Sequence, residues 1–477
     1  MLKYMNFSFL KALTFLLIFF FKAAIVVGQW APQITWEKPL GGWGYEDAQS
    51  IKQTNDGGYI IAGFTDSNDG DITDGNNGEN DVWIVKLDSF GNKSWDKTYG
   101  GSNGDGARSI QQTSDGGYIV AGYTVSNNGD VSDGNNGESD IWVIKLDSVG
   151  NKAWDKTLGG SKADYAKSIQ QTSDGGYVIG GSTRNPFLSS TNSVYGDISD
   201  GNNGWTDYWI VKSDTAGNKI WDKTLGGRRD DYLGTIQQTS DGGYIVAGYN
   251  NNDDGDITDG NNGDKDVWIV KLDSFGNKVW DKTYGGSEGD KAYSIQQTFD
   301  GGYIISGETM NNDGDITDGN NGGYDYWILK LDSSGNKVWD RTLGGSGWEW
   351  ANSIQQTSDG GFVIAGLSYS WNGDVSQNYY GNGDFWIVKL GMDISVTVNQ
   401  IEQSNTFTIY PNPATSQVVL GTDLIQPIGE VLITDMTGKI VKQFQTQKST
   451  TEIDISTLEN GIYFVKAGGI SQKLVKK

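Results

Sequence analysis

The stretch DVWIVKLDSFGNKSWDKTYGG, Asp81–Gly101, returns as DVWIVKLDSFGNKVWDKTYGG at Asp266–Gly286. SIQQTSDGGYIVAGYT, Ser109–Thr124, likewise returns as TIQQTSDGGYIVAGYN at Thr235–Asn250. Both belong to a unit of about 59 residues written six times. Its leading tryptophans are Trp36, Trp95, Trp154, Trp221, Trp280 and Trp339, spaced 59, 59, 67, 59 and 59, so one copy carries an eight-residue insertion. A period of this size points to a radial or stacked array in which each unit completes its core against its neighbours.

Each unit holds four runs of strand character bounded by turn residues. In the second unit they are A (Ala107–Thr113), B (Tyr118–Thr124), C (Ile141–Asp147) and D (Lys152–Leu158). Ser-Asp-Gly-Gly at 114–117 and Ser-Val-Gly-Asn at 148–151 are tight hairpin links. Strand C is apolar at both parities (Trp83, Val85 and Leu87; then Ile84), as a sheet covered on both faces requires.

This pattern predicts an all-β fold, a six-bladed β-propeller with four antiparallel strands per blade, followed by a small C-terminal β-sandwich. Strand A is innermost, where the taper favours small residues such as Ala107 and Ser109. The first strand, Ile34–Lys38, is a D without a C, and the last, Phe385–Leu390, is a C without a D. Together they complete blade six, close the ring and remove the free edge. An open solenoid is the rival, and the shifted termini and missing caps argue against it.

The 477 residues contain no histidine and no cysteine. Ser-His-Asp and Cys-His catalysis are therefore excluded, as are ordinary zinc sites; no haem is expected either. Any enzyme chemistry would rest on carboxylates. The net charge of −24 argues against nucleic acid as a partner.

Residues 1–28 read as a signal peptide, with Lys3 and Lys11 before Leu13–Phe21. A retained membrane anchor is the alternative, and a lipidated start is excluded by the lack of cysteine. The propeller spans 29–391 and a polar linker 392–403. The last segment, 404–477, carries TFTIYPNPA (Thr406–Ala414), ITDMTGKIV (Ile433–Val441), LENGIYFVK (Leu458–Lys466) and KLVKK (Lys473–Lys477). These motifs resemble the type A C-terminal sorting domain of the type IX secretion system of the Bacteroidetes. The resemblance implies a small β-sandwich read by the outer-membrane translocon, and hence a secreted or outer-membrane-surface protein. An Ig-like binding domain is the alternative. The repeats resemble the propellers found in proteins carrying this tag and, in architecture, quinoprotein-type propellers. The DSFGNKVW turn is similar to a sialidase Asp-box with different spacing, and no catalytic residue carries over.

The B–C and D–A loops open on one face, where function is expected. The B–C loops repeat an Asp, Asp, Asn, Asp set: Asp71, Asp74, Asn76 and Asp81; Asp130, Asp133, Asn135 and Asp140; Asp197, Asp200, Asn202 and Asp207; Asp256, Asp259, Asn261 and Asp266; Asp315, Asp318, Asn320 and Asp325. Such oxygen density suits Ca²⁺, and it equally suits Asx turns without metal. A second set, Glu46, Asp105, Asp164, Asp231, Asp290 and Glu349, stands five residues before each strand-A isoleucine, as channel-mouth acids that are solvated or bridged by a cation.

Blade six breaks the symmetry. It gathers Trp43, Tyr45, Trp348, Trp350, Tyr369, Trp371, Tyr379 and Tyr380, either as a sugar-stacking surface or as cover for the ring seam. The sequence thus predicts a binding or adhesion module for extracellular glycan or a surface protein, with no stable membrane span after processing. A carboxylate-dependent polysaccharide hydrolase or lyase using Glu349 or Glu46, and a purely structural surface component, are the alternatives.

Overall fold

The strands follow from the repeat. A computed structural model describes residues 38–184, 193–375, 384–391, 407–422, 429–435, 439–446, 448, 450–467 and 470–477. The chain divides into two compact units, Met1–Met392 and Asp393–Lys477. Among the described residues it is all-β with no helix. The signal segment, the linker and residues 34–37 of the expected closing strand lie outside them.

The first unit is propeller-like. Five antiparallel sheets have four strands each, in A-B-C-D order, and the sixth has three. In the second blade the strands are Asp105–Gln112, Tyr118–Thr124, Asp140–Leu146 and Lys152–Leu158. The eight-residue insertion of blade three adds a small two-stranded pairing, Ser193–Tyr195 with Ile198–Asn202.

Cores form between blades, because strand C is apolar on both faces. Ile60, Ala62, Val82 and Ile84 of the first blade share one cluster with Ala107, Ile110, Tyr118, Val120 and Trp142 of the second. Later junctions repeat it. The small serines of strand A join neighbours: Ser50 Oγ accepts from the Ile110 amide, and Ser109 Oγ from the Ile169 amide, both at 3.3 Å. The strand-D tryptophan lies over the next blade's C–D turn. The Gly150 turn residue has φ +88°, and a Cβ there would stand 2.8 Å from the Trp95 ring, so both backbone conformation and space require glycine.

Every strand A carries a bulge. In blade two Ala107 pairs with Gly122 and Ser109 with Ala121, leaving Arg108 as the extra residue. The bulge pushes the strand-A backbone toward strand B. A Cβ on Gly122 would lie 1.9 Å from the Gly106 carbonyl oxygen, which explains the glycine repeated in every B strand.

Blades one and six differ from the others at their junction contacts. Ile51 of blade one is 55% exposed and Ile387 of blade six 67%, whereas their counterparts Ile110 and Ile84 are fully buried.

The second unit has two sheets, one of three strands and one of four. Val418, Leu420, Val431, Ile433, Ile453, Val465 and Leu474 from both sheets form one apolar cluster. The Asn412 side chain ties the YPNPA motif to the basic last strand. Its Nδ2 donates to Lys473 O at 2.7 Å, and its Oδ1 accepts from the Val475 amide at 2.9 Å.

Candidate functional site: a cavity lined by the inner strands

The six A strands are near copies: EDAQSIKQ, DGARSIQQ, DYAKSIQQ, DYLGTIQQ, DKAYSIQQ and EWANSIQQ. Their second and fourth residues nevertheless differ in almost every copy. The second are Asp47, Gly106, Tyr165, Tyr232, Lys291 and Trp350. The fourth are Gln49, Arg108, Lys167, Gly234, Tyr293 and Asn352. The strand-B residue paired with the second position varies as well: Phe64, Tyr123, Ser182, Tyr249, Glu308 and Leu367.

In blades two to five most of these positions line one cavity of about 1060 Å³. Arg108, Tyr123, Tyr165, Lys167, Tyr232, Tyr249, Lys291 and Tyr293 all line it, with Arg184 from the end of a B strand and Trp205 and Asp230 from the loops. The bulge is the reason: it re-aims the fourth residue while the alanine and serine on either side stay in the junctions.

The walls alternate rings and cations. Arg108 lies over Phe64 at 6.0 Å and Tyr123 at 5.6 Å, and Tyr123 meets Tyr165 edge-on at 5.6 Å. Tyr232 and Tyr249 stand 5.3 Å apart. Lys291 lies over Tyr249 at 5.7 Å and Tyr324 at 5.5 Å, and pairs with Glu308 at 2.7 Å. Burial pushes the Lys167 ammonium below its ordinary pKa, and neighbouring Arg108 adds to this. Burial pushes the Tyr293 phenol well up, with Glu308 adding to it. The Tyr293 phenol is therefore a neutral hydrogen-bonding group at physiological pH.

Blade six contributes to the same positions. Trp350 occupies the second strand-A place, and Trp348, Trp350 and Tyr369 pack together at 5.8–6.4 Å. Trp43 and Trp371 are 94% and 72% exposed, and Tyr45 packs on Phe64 at 5.9 Å. Tyr379 and Tyr380 lie outside the described residues.

The acids expected at the channel mouth occupy the first position of strand A, and five of the six are fully buried. Asp105 accepts from Ser126 Oγ and the Gly101 amide, both at 2.8 Å. It thereby staples the D–A loop to strand B instead of facing solvent. Glu349 accepts from Ser368 Oγ at 2.8 Å and the Gly345 amide at 2.9 Å. Buried in this way, it is not positioned to meet a substrate.

The oxygen donors within each B–C loop are directed apart. Asp71 accepts from the Gly41 amide at 3.2 Å, Asp74 pairs with Lys97 at 3.2 Å, and Asn76 bonds Thr65 O and Glu79 O. Asp81 accepts from the Asn77 amide at 2.7 Å. Among the described residues no three acidic side chains form a metal-holding group.

Acids do meet across the blade junctions, around the first glycine of each D–A loop. The Gly100 amide donates to Asp130 at 3.3 Å, and a Cβ there would stand 2.2 Å from Asp81 Oδ1 and 2.9 Å from Asp105 Oδ2. Asp81, Asp140, Asp207, Asp266 and Asp325 are fully buried, and Oδ1 of each lacks a hydrogen-bond partner in the described structure. Burial raises Asp81, Asp140 and Asp266 to about 6 and Asp325 to about 7, with nearby carboxylates adding to it.

Residues 408–477 match the secretion-system C-terminal sorting domain. The chain carries that domain and is exported by type IX secretion to the cell surface or the extracellular space, through interaction of the domain with the secretion machinery. The chain is 23% identical over 180 residues, 37% of its length, to the regulatory protein FlaEY of Caulobacter vibrioides, and covers 18% of that protein. Among solved structures it resembles PorZ, a surface component of the type IX secretion system of Porphyromonas gingivalis, at 13% identity and TM-score 0.38, covering 92% of this chain and 53% of that one. It also resembles a DUF4221 member from Bacteroides vulgatus, at 10% identity and TM-score 0.34, covering 73% and 95%. Among the described residues no helix is long and apolar enough to cross a membrane.

Proposed function

We propose that this is a secreted or cell-surface binding module whose axial cavity takes an extracellular glycan or a segment of a surface protein. In this reading a signal peptide at residues 1–28 starts its export, and the six blades close into a ring. The C-terminal unit acts as the small sandwich read by the translocon. The observation that carries the reading is the variation at three positions per blade inside an otherwise copied repeat. Packing cannot account for it, since the same backbone accepts Gly, Lys, Tyr and Trp at equivalent places. Residues freed from the fold and, in blades two to five, gathered in one cavity are what a ligand site requires. Ring closure would bury Ile51 and Ile387, which are exposed here and stand where every other junction buries an apolar pair. Blade six extends the site, because Trp350 stands at the same repeat position as Tyr165 and Tyr232.

The test is a glycan array probed with the purified protein and with a Tyr232→Ala, Tyr249→Ala double variant. Binding lost in the variant, with its melting temperature preserved, supports the reading. Equal binding by both proteins removes the cavity from it.

A further inference from the structure

The cavity's charge runs against that of the protein. The chain has 60 acidic and 36 basic residues, a net charge of −24. The cavity lining instead holds Arg108, Lys167, Arg184 and Lys291 against the single acid Asp230, with Lys291 ion-paired to Glu308. The same bias appears at the 18 variable positions, which hold seven aromatic, three basic and two acidic residues. Scattered surface charge would follow the overall excess of acids. A concave site lined by the opposite sign focuses potential and concentrates a ligand of complementary charge.

Building on the glycan reading, we infer that the cavity takes an anionic saccharide, one bearing uronate carboxylates or sulfate groups. The Tyr232–Tyr249 and Tyr123–Tyr165 pairs offer flat faces for the apolar sides of sugar rings. Arg108 is held between two rings and anchored through Nη1 to Gln49 Oε1 at 2.7 Å, so its planar fork is preset for a carboxylate or sulfate. Lys167 stands one repeat further on, at the same place in the next blade, and lines the same cavity, so one ligand can meet both cations. A volume of about 1060 Å³ holds several sugar units and far exceeds a free inorganic anion. An acidic peptide would satisfy the cations but make less use of the paired rings.

The experiment is calorimetric titration of the full exported protein with a panel of uronate-containing and sulfated oligosaccharides. Each is paired with its neutral counterpart, carboxyl-reduced or desulfated, and a polyglutamate peptide is included. The expected result is binding of an acidic saccharide at least about tenfold tighter than of its neutral counterpart, weakening with added salt. Arg108→Gln and Lys167→Gln should each lower that affinity about tenfold and leave the neutral saccharide unaffected, while Tyr232→Ala weakens both. Uronate and sulfate arms are told apart by which member of the panel responds. Neutral and acidic forms binding alike, or charge variants without effect, overturns the inference and leaves the glycan reading standing. Polyglutamate binding without any saccharide, or no binding at all by protein of unchanged melting temperature, overturns both the inference and the glycan reading, the first of these outcomes leaving the surface-protein reading.

Discussion

Arg108 Nη1 donates a 2.7 Å hydrogen bond to Gln49 Oε1, a residue lying one full repeat earlier in the chain. The two are the bulge residues of neighbouring blades, and at this position the six copies differ most. Their bond crosses a junction without entering its core. Gln49→Ala should therefore cost less than about 1 kcal/mol of stability, while loosening Arg108 and weakening ligand binding. Thermal melting and titration of the same sample would separate the two effects. Trp371→Ala, at a 72% exposed ring, should likewise shift stability by no more than about 0.5 kcal/mol.

Gly180 and Leu233 are a compensated pair. Other A strands place alanine where blade four has Leu233, and blade three alone has glycine at the facing strand-B position. A Cβ on Gly180 would stand 3.0 Å from Leu233 Cδ2 and 2.8 Å from Ile236 Cγ2. Gly180→Ala should destabilise by about 1–3 kcal/mol through overpacking. Adding Leu233→Ala should recover part of that loss. A double-mutant cycle in denaturant that shows simple additivity would exclude the pairing.

Stability should rise as pH falls from 8 to 5. Burial raises Asp81, Asp140 and Asp266 to about 6, and Asp164, Asp231, Asp290 and Asp325 to about 7. A raised carboxyl pKa means that the folded state binds its proton more tightly than the unfolded chain. The contribution is full below the unfolded pKa near 4 and is lost as pH climbs through 6 and 7, at up to about 1.4 kcal/mol per pH unit for each group. Asp81→Asn keeps an acceptor for the Asn77 amide and should flatten the slope while stabilising the protein at pH 8. A melting temperature that climbs with pH over this range would refute the account. Added Ca²⁺ that raises the melting temperature at pH 8 but not at pH 5 would place the cation, rather than the proton, between these carboxylates.

Ring closure can be read by cross-linking, because the chain has no cysteine of its own. In an intact junction the Ser114 amide donates to Gln171 Oε1 at 2.8 Å. The corresponding seam pair is Ser358 with Gln53. Ser114→Cys with Gln171→Cys should be bridged by a short bis-maleimide. Ser358→Cys with Gln53→Cys should be bridged equally well if blade six meets blade one. Reaction of the first pair alone would mean an open row.

Asn412→Ala should block export. It removes the bonds from Asn412 to Lys473 and Val475 that hold the Pro-Asn-Pro segment to the last strand. The variant should accumulate inside the cell, as should a chain lacking residues 404–477, with the repeat unit still folded by circular dichroism. Normal appearance of either protein outside the cell would contradict the role of this unit.

Much of the architecture was legible because the repeat states it six times. The DGG and GN turns, the doubly apolar strand C and the Trp–Gly contact of Trp95 with Gly150 are local or one repeat apart, so their periodicity exposes them. The acids were harder to place. Sequence pattern alone puts Asp105 and Glu349 in solvated loops, yet strand A starts two residues earlier than the pattern predicts and places them at strand starts under a Ser or Thr hydroxyl. The cavity was also marked in the chain, by the variation at Arg108, Lys167 and Tyr232 inside copied segments. That signal is weaker in the chain than the copied acidic loops and the aromatics of blade six, because variation stands out only once the repeats are aligned on their folded positions.

The sequence by itself determined the strand plan, the number of repeats and the sorting domain, because these rest on short-range turn chemistry and on patterns that recur at fixed spacing. Only the tertiary structure decided which face of strand A looks into the cavity. A single bulge at Arg108 and its counterparts changes the parity of side chains along the strand. Whether that extra residue turns toward a junction or toward the cavity depends on the approach of strand B at Gly122, a contact between segments that the one-dimensional pattern does not rank.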